Sequence, residues 1–186
     1  MGLGAKNDLT YSNARLHASL LALIQMPLTE IPLNLAGKVF RSEMPFCYFD
    51  KENALFDAYL DVRIDTVVML TSDEEARKHS GLNLREFYIE AGLDVLYYPV
   101  TDFSTPADSA SFSEAVDNAI QQVRDGKNIV IHCYAGIGRT GMFSALMVRR
   151  ILDLSGDDAI NWVRKFVPDA VQTPEQRHII LNNAEK

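Results

Sequence analysis

Asn128 to Arg150 reads NIVIHCYAGIGRTGMFSALMVRR, an apolar run ending in a histidine and a cysteine, followed by three glycines, an arginine and a second apolar stretch. The first run, Ile129 to Ile131, is short and apolar, the pattern of a strand. The second carries Met142, Phe143, Ala145, Leu146, Val148, Ile151 and Leu152 and is apolar nearly all round, as a central buried helix should be. Between them the chain must reverse within a few residues. Gly136 and Gly138 permit that turn, because a backbone without Cβ reaches conformations closed to other residues. The reading is therefore strand, tight loop, buried helix over Thr140–Leu154.

Working outward, the same alternation recurs. Short apolar runs at Lys38 (KVF), Thr66 (TVVML) and Val95 (VLYYPV, Val95 to Val100) are strand candidates alongside Asn128 (NIVIH). Helical spacing fills the intervals at 51–61, 72–79, 84–91 and 109–125, and again after the buried helix at 156–166 and 174–184. The last of these opens on TPEQ, with Thr173 as cap and Pro174 at the first helical position. Strands alternating with helices predict an α/β fold with a central, mostly parallel sheet flanked by helices. A further helix is predicted at 11–25, stopped by Pro27 and Pro32, giving an N-terminal helical extension (1–34) packed on the main domain (35–186).

Composition narrows the function. The 186 residues carry a formal net charge of −7, which disfavours a nucleic-acid surface or a polybasic membrane patch. Two cysteines, Cys47 and Cys133, are too few for a disulfide framework and fit a reducing, cytoplasmic setting. The apolar stretch near the N-terminus, SLLALIQMPL, is too short and interrupted to cross a bilayer. The four histidines show no metal-ligand spacing, so no metal is expected, and no cofactor is implied.

The loop from Tyr134 to Arg139, with Ala135, Gly136, Ile137 and Gly138 between them, has the makings of an anion site. Its amides can converge at a helix N-terminus, and Arg139 offers a planar fork for two oxygens of a phosphate. The same positive field favours ionisation of the Cys133 thiol, and the thiolate is the nucleophilic form. A lone cysteine at a strand end is ordinarily a small buried hydrophobe; this set of neighbours argues for a reactive one.

HCYAGIGRTG resembles the signature of the cysteine-dependent protein tyrosine and dual-specificity phosphatases, His-Cys-x5-Arg-Ser/Thr. The resemblance implies that Cys133 attacks phosphorus to form a phosphocysteine, that Arg139 binds phosphoryl oxygens, that Thr140 helps release the thiolate and that His132 orients the loop. The leaving oxygen needs a proton. Asp102, in YPVTDFSTPA, lies 31 positions before the nucleophile and resembles the family's general acid, whereas Asp108 reads as a helix cap. VQTPEQ resembles the glutamine-bearing loop that positions the hydrolytic water in the tyrosine-specific and kinase-associated members, which nominates Gln172 first and Gln176 second; with HCYAGIGRTG it is most similar to the kinase-associated and Cdc14-like branch.

KVFRSEMP extends the likeness to dual-specificity enzymes, and no Lys-Asn-Arg-Tyr segment of the tyrosine-only kind occurs. A monomer acting on phosphotyrosine and phosphoserine or phosphothreonine of a protein substrate is the expectation. The alternatives are an inositol-phosphate or phosphoinositide phosphatase and a phosphate-binding pseudophosphatase. Tyr134 as a side chain, Arg149, Arg150, Trp162 and the DEEARK cluster read as pocket wall, core or solvated helix faces. Cys47 is a remote candidate for a redox bridge to Cys133.

Overall fold

The computed structural model describes residues 28–182, and the helix expected at 11–25 lies outside them. Five strands form one sheet: β1 (Thr29–Ile31), β2 (Val39–Ser42), β3 (Thr66–Met69), β4 (Asp94–Tyr97) and β5 (Ile129–His132), in the order β1-β2-β5-β3-β4. All neighbours are parallel except β1 with β2, so the expected α/β architecture with a mostly parallel sheet is present. The sequence pattern places Thr29–Ile31 in the N-terminal extension, but these residues form the antiparallel edge, with Thr29 opposite Arg41. Three residues ahead of Pro32 are too few for an alternation to register.

Seven helices are described: α1 (Leu55–Asp61), α2 (Asp73–Ser80), α3 (Leu84–Glu90), α4 (Ser109–Arg124), α5 (Gly138–Leu152), α6 (Gly156–Arg164) and α7 (Pro174–Asn182). They divide between the two faces of the sheet. Alternate strand residues Val39, Val68, Ile129 and Ile131 pack with Phe112, Phe143, Leu146 and Val163 from α4, α5 and α6. The intervening Phe40, Val67, Met69 and Val130 pack with Leu55, Tyr59, Leu84 and Tyr88 from α1 and α3. This two-fold alternation is why β5 is apolar from Ile129 to Ile131 and polar only at its end, His132.

Helix α5 is the centre of the larger layer, with every residue from Gly138 to Val148 buried. Polar side chains set the helix starts. Ser72 Oγ accepts from Glu75 N at 3.0 Å, Asp108 Oδ1 from Ala110 N at 2.9 Å, and Thr173 Oγ1 from Gln176 N at 3.2 Å. Asp108 is thus a cap, as its sequence context indicates. Strand β4 is shorter than Val95–Val100, though Tyr98 N and Val100 N still donate to Met69 O and Leu70 O beside it. Among the described residues no helix is long and apolar enough to cross a membrane.

Candidate active site

β5 lies between β2 and β3, so its C-terminal end opens at the middle of the sheet. His132 is its last residue, and Cys133 follows on the α5 side. The loop Tyr134–Ile137 then turns directly into α5, whose first two residues are Gly138 and Arg139. Gly136 has φ +69°, and a Cβ there would stand 2.3 Å from Ser42 O, so both conformation and space require glycine. On the outer side the turn is tied down by Met44 N, which donates to Tyr134 O at 3.0 Å.

Arg139 is 1% exposed, an unusual position for a guanidinium, and it is held by carboxylates. Its Nη1 and Nη2 donate to Glu75 Oε2 and Oε1 at 2.8 and 2.7 Å, a two-point pair, and Nη1 also reaches Val100 O at 2.9 Å. Asp102 Oδ1 lies 3.0 Å from Nη2, and Nε is buried without a partner. Burial disfavours the cation, and the Glu75 carboxylate with Cys133 and Asp102 more than restores it, so the guanidinium is held charged. The edge formed by Nε, which has no partner, and Nη2, which Asp102 contacts, has the geometry to meet two oxygens of a tetrahedral anion.

Glu75 belongs to the DEEARK cluster, which reads as a solvated face. It sits on α2 64 positions before Arg139, beyond the reach of any local pattern. The one hint was the SDEE start of that helix, whose capped first turn fixes the direction of Glu75.

His132 is fully buried. Its Nδ1 lies 3.1 Å from Cys133 O, and because a carbonyl only accepts, Nδ1 carries the proton. Nε2 is left to accept from the Tyr88 hydroxyl at 3.1 Å. Burial, opposed by the Cys133 carbonyl and assisted by the charge on Arg139, pushes the imidazole pKa down to about 4. The residue is a neutral strut holding the carbonyl beneath the loop.

Thr140 is buried one position beyond Arg139, and its Oγ1 has no partner. The remaining sequence candidates come in from the α6–α7 connection. A Cβ on Gly138 would lie 2.6 Å from Gln172 Oε1 and 3.3 Å from both side-chain amide atoms of Gln176, so the two glutamines rest on the floor of the loop. They are unlike in setting. Gln172 is exposed, while Gln176 is buried, accepting from Gln172 N at 3.0 Å and donating to Ser104 O at 3.3 Å. Gln176 therefore ties the loop after Asp102 to the loop bearing Gln172.

Cys47 Sγ lies 4.0 Å from Tyr134 O, and burial pushes its thiol pKa up, the direction of an unreactive cysteine. Both thiols are free; Cys47 packs in the α1–α3 core and Cys133 in the α5 core.

Comparisons with known proteins point to phosphatases. The family described as "Polymorphic toxin system, DSP-PTPase phosphatase" matches residues 50–151, more than half of the chain. Tyrosine-protein phosphatase cdc-14 of Caenorhabditis elegans is 29% identical over 128 residues, 67% of this chain and 16% of that protein. Cyclin-dependent kinase inhibitor 3 of Homo sapiens is 28% identical over 125 residues, 66% of this chain and 58% of that protein. The chain thus matches less than two thirds of the length of these relatives. The crystal structure of Tk-PTP in its active form is 30% identical, covers 82% of this chain and 93% of that one, and superposes with a TM-score of 0.67. Kinase associated phosphatase with serine at its catalytic-site cysteine shares the fold at a TM-score of 0.74 and 23% identity, over 84% and 93% of the two chains.

Proposed function

From a chain that belongs to the cysteine-dependent DSP-PTPase phosphatase family, we propose hydrolysis of phosphotyrosine and of phosphoserine or phosphothreonine in a protein substrate, through a phosphocysteine. The observation that carries the reading is the guanidinium of Arg139. It is buried, locked by Glu75 on one edge and held on the other only through Nη2 by the half-exposed Asp102, with Nε unpartnered, six residues after Cys133. A phosphoryl group in the loop places two oxygens on Nε and Nη2 and displaces the Asp102 carboxyl from Nη2. The displaced carboxylate, released from the cation, takes up a proton from solvent and then stands where the leaving oxygen departs.

In the first step Cys133 Sγ bonds to phosphorus as the bond to the substrate oxygen breaks, and Asp102 transfers its proton to that oxygen. The Arg139 fork and the loop amides neutralise charge on the equatorial oxygens, supplying stabilisation where charge accumulates. In the second step a water oxygen bonds to phosphorus and the sulfur leaves. Asp102 takes the water's proton, Gln172 orients the water, and the Thr140 hydroxyl, with no other partner, donates to the departing thiolate. His132 keeps the loop's first carbonyl in place, while Gln176 joins the loop after Asp102 to the loop bearing Gln172.

The reading includes a monomeric, cytoplasmic catalyst whose working unit is residues 35–186, with β1 added at its sheet edge from the preceding segment. Neutral Tyr134, Ala135 and Ile137 in the loop, and two acids without a base in TDFSTPADS, disfavour an inositol polyphosphate. The test is an assay of wild type and Cys133→Ser against phosphopeptides, inositol phosphates and phosphoinositides. Phosphopeptide turnover is expected in wild type, with loss of turnover and retained peptide binding in the variant. A kcat/KM about tenfold higher for an inositol polyphosphate or phosphoinositide, a difference of roughly 1.4 kcal/mol, would overturn the substrate class.

A further inference from the structure

We propose that the open edge of β4 is a docking strip for an extended, basic segment of a partner protein, which adds to the sheet as a further strand. The proposal stands apart from the phosphatase reading, since it concerns the rim of the sheet and needs no chemistry at Cys133.

The backbone comes first. β4 ends the strand order and, among the described residues, pairs only with β3. Asp94 N donates to Asp65 O at 2.9 Å and Tyr98 N to Met69 O at 3.0 Å, so Asp94, Leu96 and Tyr98 turn their backbone groups toward β3. Val95 and Tyr97, which alternate with them, turn N–H and C=O outward. A row of this kind is a template for another chain, and proteins ordinarily blunt it with lysine, proline or a bulge. Val95 to Tyr98 reads VLYY, and its register against β3 runs on without a bulge.

An added strand sends its side chains alternately to the two faces of the sheet, and each face has a place for one. On the α4 side a cavity of about 230 Å³ opens beside β4, lined by Val68, Leu96, Tyr98, Ala115 and Glu114, with room for an aliphatic side chain. On the α3 side the Arg85 guanidinium lies over the Tyr97 ring, 4.4 Å from its centroid. Ile89 follows one turn later on the same side of α3 and is 59% exposed, so an incoming chain finds an apolar contact there as well.

Charge names the occupant. Glu90, next to Ile89, and Glu114, at the cavity, are exposed and belong to no ion pair among the described residues. The nearby cations are taken: Arg85 by Asp73 at 2.6 Å and Lys127 by Asp94 at 2.7 Å. The strip thus presents carboxylates without counter-charge, which suits a segment alternating apolar residues with lysine or arginine. A second copy would bring like carboxylates together, in a chain of net charge −7. In strand addition the main-chain bonds supply affinity and the seats for alternate side chains supply specificity.

The experiment follows amide hydrogen exchange of the full chain with a capped peptide of about eight residues alternating valine and lysine, a probe of strand length. In the free protein Val95 and Tyr97 are expected to exchange fast and Leu96 slowly, and saturating peptide should slow Val95 and Tyr97 by about tenfold or more. A peptide alternating valine and glutamate should bind at least about tenfold more weakly, and Glu90→Lys combined with Glu114→Lys should reverse that order. Both substitutions are at exposed positions, so the variant should keep the fold. Absence of binding, or binding that leaves Val95 and Tyr97 exchange unchanged, overturns the proposal. So do equal affinities of wild type for the two peptides and an unchanged order in the variant. Slow exchange of both amides in the protein alone overturns it too, because the edge is then already covered, and a dimer that protects them overturns it in favour of a second copy.

Discussion

Glu75 and Arg139 show how much of this site depends on a single pair. The guanidinium is 1% exposed and the carboxylate 19%, so neither charge is well hydrated, and each is stabilised mainly by the other. Removing one member of such a pair leaves an uncompensated buried charge, a loss of about 3–5 kcal/mol where burial is complete. Glu75→Gln keeps one acceptor and the shape, so it should fold, but its guanidinium partner loses the two-point lock and swings. We expect kcat/KM on a phosphopeptide to fall by about ten- to a hundredfold, with weaker inhibition by inorganic phosphate. Unchanged phosphate inhibition in Glu75→Gln would show that Arg139 needs no such lock. At this scale legibility follows sequence distance. Cys133, Arg139 and Thr140 are readable because a strand, a glycine turn and a helix place them within eight residues. Glu75 is silent because its reason for existing lies across the sheet.

The α6–α7 connection carries the second half of the proposed chemistry on a strained backbone. Asp169 and Val171 have φ of +63° and +64°, and for a β-branched residue the left-handed region is a true outlier. Arg164, at the end of α6, holds it there: Nε donates to Ala170 O at 2.9 Å and Nη2 to Val171 O at 3.2 Å. From below, Gly141 of α5 leaves room for the loop, since a Cβ there would stand 2.7 Å from Val171 N and 2.8 Å from Ala170 Cβ. Gly141→Ala must therefore lift the connection, at a cost of about 1–3 kcal/mol. Gln172 follows Val171 and would move with it. Phosphocysteine formation should be nearly unchanged while its hydrolysis slows, so a burst should appear before a slower steady state. Equal slowing of burst and steady state would place the effect elsewhere. VQTPEQ could be located from sequence by its cap and proline, but the strain and the Arg164 clamp could not, because both are properties of tertiary contact.

Over the whole molecule the sheet separates two cores, and His132 is where they meet. Its backbone continues β5, its Nδ1–H supports the Cys133 carbonyl on the way to α5, and its Nε2 takes the Tyr88 hydroxyl from α3 in the opposite layer. The strand was legible in NIVIH, and so was its end at a polar residue, but which of its residues faces which core was not, because a continuous apolar run carries no alternation. The partner Tyr88, 44 positions away, was not. Because burial holds the folded imidazole at a pKa of about 4 while an exposed one titrates near 6.5, the unfolded chain binds the extra proton first as pH falls. The contribution of His132 is thus fully present above about 6.5, is lost progressively between 6.5 and 4, and changes no further below that. A shift of this size corresponds to about 3 kcal/mol across the window. Carboxylates add their own acid dependence, so the measurement is a difference: unfolding free energy in urea from pH 7 to pH 4 for wild type and for His132→Asn. The variant starts less stable at pH 7, having lost a neutral strut, and its curve should fall less steeply between 6.5 and 4, the two lines converging toward acid. Parallel lines through that window would mean that His132 is not the buried neutral link between the two layers.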